Sequence, residues 1–340
     1  MLTPSFYPNI GGVERHVLKI SMELIKEGHS ITILTEKRKR TAKNYEIYKG
    51  IKIYRIRPSV ISRFLFLLKN INLIRQADVI QIHDFTSFVL WYFPFRFIFP
   101  KKPVFVTFHG FDGIPIPKSA IILRKITESL VSDHICVGKY IQKWYGTRCN
   151  HITYGAVEPI NEDITEEIDI VFIGRLEPDM DIQLYLQSLK ILKEKYSIKV
   201  QMDIIGDGTL RHFVESFAKK NELSITIHGK IPNPEKIMAK GKIVLANGYL
   251  SILEASMLKK PIIAAYNSDL KRDYLYSMPM EKLIILNNAN EIAKMIKRLL
   301  EDPTLRFRIG TTNFNYAKQQ TWKKIIEMYL DMYNKTQNKK

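Results

Sequence analysis

The chain has 340 residues, 46% hydrophobic and 25% charged, with 16 glycines and 15 prolines. That length suits about two domains, and the composition excludes a disordered, collagen-like or low-complexity chain. The formal charge is +18 and unevenly spread: residues 1–157 hold 24 Lys and Arg against 10 Asp and Glu, residues 158–340 hold 28 against 24. Such an excess attracts phosphates, anionic head groups or nucleic acid without choosing among them.

Cys136 and Cys149 form no CxxC and have no histidine ligand set beside them, which argues against a structural zinc site. They read as two thiols in a reducing compartment. Leu2-Thr3-Pro4 follows Met1 with neither the cationic start nor the apolar core of a signal peptide. The longest apolar stretch, residues 85–100, contains Pro94 and Arg96 and is shorter than the ~18–20 residues of a membrane span. The expected location is cytoplasmic, with peripheral attachment to a membrane left open.

In chain order, β-branched runs at 30–35, 51–56, 79–82, 103–108 and 135–138 predict strands, with helical periodicity at 13–26 and 119–132. A second series of strands is expected at 168–173, 200–205, 224–228, 242–246, 261–265 and 283–285. Helical patterns at 182–196, 210–221, 251–258 and 291–301 separate them. This alternation predicts parallel sheets with crossover helices, in two doubly wound units joined near residues 154–167. The first sheet opens oddly, because only Met1, Leu2 and Thr3 precede Pro4. Either its first strand is a stub or the start lies upstream.

Five places could carry chemistry. In Pro8-Asn-Ile-Gly11-Gly12-Val-Glu14, the glycines allow close backbone approach and the following helix offers unpaired amides to a phosphate. This is neither a Walker A loop nor GxGxxG, and a plain tight turn reads equally well. Gly174-Arg175-Leu176 closes a predicted strand, where ligands of open α/β sheets bind. Its guanidinium could clamp a diphosphate or simply be solvated. Gly206-Asp207-Gly208 suits close approach to a ligand, or an ordinary left-handed turn. Leu250, Ser251 and Ile252 open a helix whose Glu254 could accept ribose hydroxyls or merely complement the helix dipole. His109-Gly110 sits past a strand end, where a histidine can line a cleft or simply pack.

Together these motifs resemble glycosyltransferase family 4, a retaining family with the GT-B fold. The anchors are Gly11-Gly12-Val13-Glu14, Gly28-His29, Thr107-Phe108-His109-Gly110, Gly174-Arg175-Leu176, Gly206-Asp207-Gly208 and Leu253-Glu254-Ala255 with Lys260-Pro261-Ile262, running to about Tyr333. The resemblance implies an α/β chain of two Rossmann-like domains facing across a cleft. Residues 1–157 would face the acceptor and 158–318 would hold the nucleotide-sugar, while 319–340 would form a helix crossing back to the first domain. It implies that Arg175 binds the donor diphosphate and Glu254 the ribose. Gly11 and Gly12 would approach the phosphate and sugar, and His109 would lie beside the reacting sugar. Two positions depart from the pattern. The family's GRLxxxKG lysine is Met180 here, followed by Asp181, and the first member of its glutamate pair falls at Ala246. The stretch from Asn247 to Glu254 resembles a branch with a reduced pair.

The expected activity is hexosyl transfer from a nucleotide diphosphate sugar to a hydroxyl, with retained configuration. Arg175 and the amides near Leu250 to Ile252 would stabilise the leaving diphosphate, with no protein nucleophile. No cofactor or metal is expected, since no Asp-x-Asp lies at a strand end. The acceptor is a glycan or lipid-linked hydroxyl. One competing reading is a basic peripheral protein on an anionic membrane, using the cationic run 36–43 and the apolar stretches 64–68 and 91–95. Nucleic acid is not expected, because no binding signature is present. The other competitor is a catalytically silent GT-B protein, motivated by Met180 and Ala246.

Overall fold

The computed structural model describes residues 1–9, 11–38 and 41–337. Ile10 of the glycine loop and Lys39 and Arg40 of the cationic run lie outside the described residues. The chain divides into two units, Met1–Gly155 with Trp322–Lys340, and Ala156–Thr321.

In the first unit the strands are β1 (Thr32–Glu36), β2 (Tyr45–Tyr48), β3 (Ile51–Ile56), β4 (Ile80–His83), β5 (Val104–Phe108), β6 (Asp133–Val137) and β7 (His151–Thr153). Leu2 bridges in parallel to Leu34 of β1 and Ile82 of β4. The order is therefore β2-β3-β1-Leu2-β4-β5-β6-β7, parallel except for β2 at one edge. The short first strand is a central stub, held on both sides. β4 and β5 are buried throughout, as expected of strands covered on both faces.

The helix Gly12–Lys26 turns Val17, Ile20 and Leu24 inward, and Val17 joins Phe6, Ile33, Ile51 and Ile53 in one cluster. The final helix, Trp322–Gln337, packs on it. The apolar stretch 85–100 folds as three short helical pieces, Phe85–Ser87, a π-helical turn Phe88–Tyr92, and Phe93–Ile98 with Pro94 in its first turn, where proline is tolerated.

Cys136 and Cys149 correct the expectation of two thiols. The end of β6 and the loop before β7 bring their Cα atoms to 5.7 Å, and the structure joins them as a disulfide, within the span such a bond bridges.

In the second unit the strands are β8 (Ile168–Ile173), β9 (Gln201–Ile205), β10 (Ser224–Gly229), β11 (Gly241–Ala246), β12 (Ile262–Ala265) and β13 (Ile284–Leu286). All are parallel, in the order β10-β9-β8-β11-β12-β13. This is the doubly wound dinucleotide-fold order, and its direction reverses between β8 and β11. Two longer helices that the sequence pattern did not predict also belong to the unit, beside the single turn Glu235–Met238. Asp269–Tyr276 is capped by Ser268, whose Oγ accepts from the Lys271 amide, and Pro303–Ala317 is capped by Asp302. Gly310, inside the latter, is required by packing, because a Cβ there would lie 1.8 Å from the Lys259 carbonyl oxygen.

Candidate active site

The reversal point of the second sheet is where a ligand of such a fold binds; Asn247 follows directly on β11, and Arg175 follows β8 with Gly174 between them. The Arg175 side chain is about two-thirds exposed and reaches Asp179 at 2.7 Å. Asn247 is fully buried. Its Nδ2 donates to the Met180 carbonyl at 2.7 Å, and its Oδ1 accepts from the Tyr185 hydroxyl at 2.6 Å and the Ala265 amide at 2.8 Å. One side chain thus fixes the ends of β11 and β12 to the loop that carries Arg175.

The helix after β11 opens at Tyr249, not Ser251, with Gly248 as its N-cap. The Tyr249 amide donates to the Tyr274 hydroxyl at 3.1 Å, and the two rings stack with centroids 4.0 Å apart. The Ile252 amide is spent on the Gly248 carbonyl at 2.9 Å, so it is not available to an anion as expected. Among the described residues, the amides of Leu250 and Ser251 have no such partner. Ser251 Oγ donates to the Gly248 carbonyl. Glu254 is buried one turn further on. Ala246, at the place of the family's first glutamate, is buried in β11.

Gly206 and Gly208 have a structural reason to be glycine. Gly206 has φ +147, and a Cβ on it would lie 1.8 Å from the Gly174 carbonyl oxygen. On Gly208 it would lie 2.4 Å from that of Leu176. The two loops are laced by the Gly174 amide to the Ile205 carbonyl and the Leu176 amide to the Asp207 carbonyl, both 3.1 Å. The close approach is therefore loop to loop, and it holds Arg175 at the strand ends.

Residues that the sequence motifs did not single out complete this site. Lys271 is 2% exposed, its Nζ donates to the Asn247 carbonyl at 3.0 Å and lies 4.8 Å from the Tyr274 ring centroid. Burial lowers its pKa to about 8, against the opposing fields of Asp179 and Asp181. Asp181 is almost fully buried with φ +55, and neither carboxylate oxygen has a hydrogen-bond partner. Burial raises it to about 7. Asn247 could have been noticed from its place after a strand, whereas a lysine within a polar helix gave no signal.

In the first unit, Gly11 is the N-cap of the helix Gly12–Lys26 in extended conformation, which any residue can adopt. A Cβ on Gly12 would meet nothing within 4 Å. A Cβ on Gly11 would run into the Glu14 carboxylate, which lies at this end of the helix. His109 follows β5 and is mostly buried. Its Nε2 is 3.1 Å from His83 Nδ1 at the end of β4, and its ring meets that of His16 edge-on at 5.0 Å. His16 Nε2 bonds the Tyr329 hydroxyl at 3.1 Å, which in turn bonds Thr107 Oγ1 at 2.6 Å. Burial lowers His16 to about 4, and His83 and His109 well below the usual range, the neighbouring imidazoles adding to it. These rings are neutral hydrogen-bonding groups at neutral pH. Beside them Asp84, with φ +70, is raised to about 7 by burial despite the Arg124 guanidinium.

Residues 10–154 match the family described as Glycosyltransferase Family 4, and residues 158–316 the family described as Glycosyl transferases group 1. An uncharacterised glycosyltransferase of Methanocaldococcus jannaschii is 25% identical, over 96% of this chain and 95% of its own. One chain of the human phosphatidylinositol N-acetylglucosaminyltransferase is 23% identical, over 98% of this chain and 75% of its own. Among solved structures, that of Anabaena HepE in complex with UDP-glucose aligns with a TM-score of 0.78 at 13% identity, over 98% of each chain. With each unit matched to a glycosyltransferase family and the doubly wound architecture shared, the chain belongs to the GT-B glycosyltransferases.

Proposed function

We propose that the chain moves a hexose from a nucleoside diphosphate sugar to a hydroxyl of a glycan or lipid-linked acceptor, with retained anomeric configuration and without a metal ion. The observation that carries this reading is the β8–β11 reversal, where the loop bearing Arg175 follows β8 and the helix opening at Tyr249, with Glu254 buried in it, follows β11. The UDP-glucose complex of HepE and the N-acetylglucosaminyl transfer named for the human relative support the donor class.

In this reading Arg175 turns from Asp179 to the diphosphate, and the Leu250 and Ser251 amides meet its oxygens. Glu254 accepts from the ribose hydroxyls. The bond from the anomeric carbon to the diphosphate oxygen breaks as charge grows on that oxygen, which preorganised donors stabilise. The acceptor oxygen attacks from the same face and its proton passes to the leaving diphosphate. His109, neutral and held by His83, donates to or accepts from a sugar hydroxyl. Nucleotide release with UDP-, GDP- and ADP-sugars, undiminished by EDTA, tests the activity. The anomeric proton coupling of the product tests retention. No release from any of these donors would favour a catalytically silent chain instead.

A specific surface favours the lipid-linked acceptor. The helix Val60–Lys69 leaves Val60, Ile61, Phe64, Leu65 and Leu68 exposed along one face, and Phe97 and Ile98 are exposed nearby in the same unit. Phe64 and Phe95 rings lie 5.6 Å apart. Trp91, Tyr92 and Phe95, expected to add apolar surface, are buried core instead. An exposed apolar helix face on a basic unit suits an anionic bilayer surface. Sedimentation with phosphatidylglycerol vesicles, lost for Ile61→Asp/Leu65→Asp, tests this. Among the described residues no helix is long and apolar enough to cross a membrane.

A further inference from the structure

The loop that bears Arg175 is poorly disposed toward an anion. Glu177, Asp179 and Asp181 follow the arginine, and Met180 is buried against Gly174, where its methyl would lie 2.7 Å from a Cβ. We propose that Lys271 is the second cation for the donor diphosphate, delivered from the helix Asp269–Tyr276 and not from the Arg175 loop. This rests on the nucleoside diphosphate sugar reading above.

The placement is built in several steps. Ser268 caps the helix and fixes its first turn. Asn247, locked by three hydrogen bonds, presents the carbonyl that holds Lys271 Nζ at 3.0 Å. Tyr274, one turn beyond Lys271, holds the Tyr249 amide at the start of the preceding helix, and the Lys271 ammonium lies 4.8 Å from the centroid of the same ring. Asp179 forms the ion pair with Arg175 at 2.7 Å and also acts on Lys271. Both cations therefore share one field. Asp181 supplies an independent sign. It is a non-glycine residue held at φ +55 with both carboxylate oxygens buried and unpartnered, a strained and costly arrangement of the sort kept at functional sites. Its carboxylate, when ionised, favours the ammonium form of Lys271. A diphosphate entering at the reversal point would take over that ammonium in a charge-assisted hydrogen bond.

The test measures binding of UDP against uridine, GDP against guanosine and ADP against adenosine by calorimetry. It uses wild type, Lys271→Met, Lys271→Gln and Lys271→Met/Met180→Lys. The diphosphate that wild type prefers should bind Lys271→Met about 10- to 100-fold more weakly, the range of one hydrogen bond to a charged group, with affinity for the nucleoside unchanged. Met180→Lys should restore part of the loss by returning a cation to the same crevice. Lys271→Gln keeps a donor for the Asn247 carbonyl without the charge, and should bind diphosphate as weakly as the methionine variant. Equal weakening of nucleoside and diphosphate would make Lys271 a structural tie, and full diphosphate affinity in Lys271→Gln would overturn the proposal. Wild type binding no diphosphate would instead remove the donor reading on which it rests.

Discussion

The first unit holds 29 Lys and Arg against 12 Asp and Glu, and the second 23 against 22. Yet the groups gathered at the strand ends run the other way. The basic first unit gathers three uncharged imidazoles, His16, His83 and His109, while the nearly neutral second unit places Lys271 and Arg175 at its reversal point. Net charge describes the surface and what it attracts over a distance. The site chemistry follows from which side chain stands at a strand's carboxyl end and how far it is desolvated there. The glycines differ in the same way. Gly206 and Gly208 of the second unit are packed against backbone, and Gly12 of the first faces open space.

The sharpest break of that comparison is between glycines. Gly206→Ala puts a methyl 1.8 Å from a carbonyl oxygen at a positive φ and should cost about 4 kcal/mol or more. It would appear as a lowered or missing calorimetric transition of the second unit. Gly12→Ala should leave stability within about 1 kcal/mol of wild type, since alanine suits a helix better, and any loss of transfer rate would then report substrate approach. Equal destabilisation by the two would erase the distinction.

Next in size is Arg175→Ala. The side chain is largely exposed and pairs with Asp179 on its own loop, so thermal stability should hold. Nucleotide release should fall about 10²- to 10³-fold, the usual loss for one donor to a charge-developing group. Undiminished release would remove Arg175 from the donor site.

Smaller again is Tyr329→Phe, on the helix Trp322–Gln337. It removes the hydroxyl shared by His16 and Thr107 and leaves two buried polar groups without that partner, at about 1–3 kcal/mol. All three tryptophans, Trp91, Trp144 and Trp322, belong to the first unit. Urea unfolding followed by their fluorescence should therefore show the loss.

How much of this was legible in the sequence follows the physics of each element. β3, β8 and the helix Ile182–Tyr196 match the expected bounds, because their apolar pattern is set by burial along their whole length. β2 was missed because Tyr45–Tyr48 is an edge strand with little burial, paired antiparallel. The helix Pro303–Ala317 was missed because Asp302-Pro303 reads as a stop, although there it serves as cap and first turn. At the site, Arg175, Glu254 and His109 could be singled out because they belong to short motifs. Lys271 could not, since Asp-Leu-Lys-Arg-Asp reads as a solvated helix face and only the tertiary packing around Asn247 and Tyr274 buries its charge. The histidine cluster is also tertiary, with members on a helix and two different strand ends.

A last contrast separates the units by pH. His16, His83 and His109 bind a proton less readily folded than unfolded, where the ordinary value is near 6.5. Between about pH 6.5 and 4 the unfolded chain therefore holds more protons, and stability of the first unit must fall as pH falls. Each imidazole contributes a slope approaching 1.4 kcal/mol per pH unit. Asp84, raised to about 7, acts with the opposite sign. The folded state takes up its proton first, which offsets one of the three imidazoles across the same range. Asp84→Asn should thus steepen the acid sensitivity seen by tryptophan fluorescence by about one proton, and His83→Asn should shallow it by about one. If neither variant changes the slope, these groups do not change protonation on unfolding, and the contrast between a neutral cluster in one unit and a charged one in the other is lost.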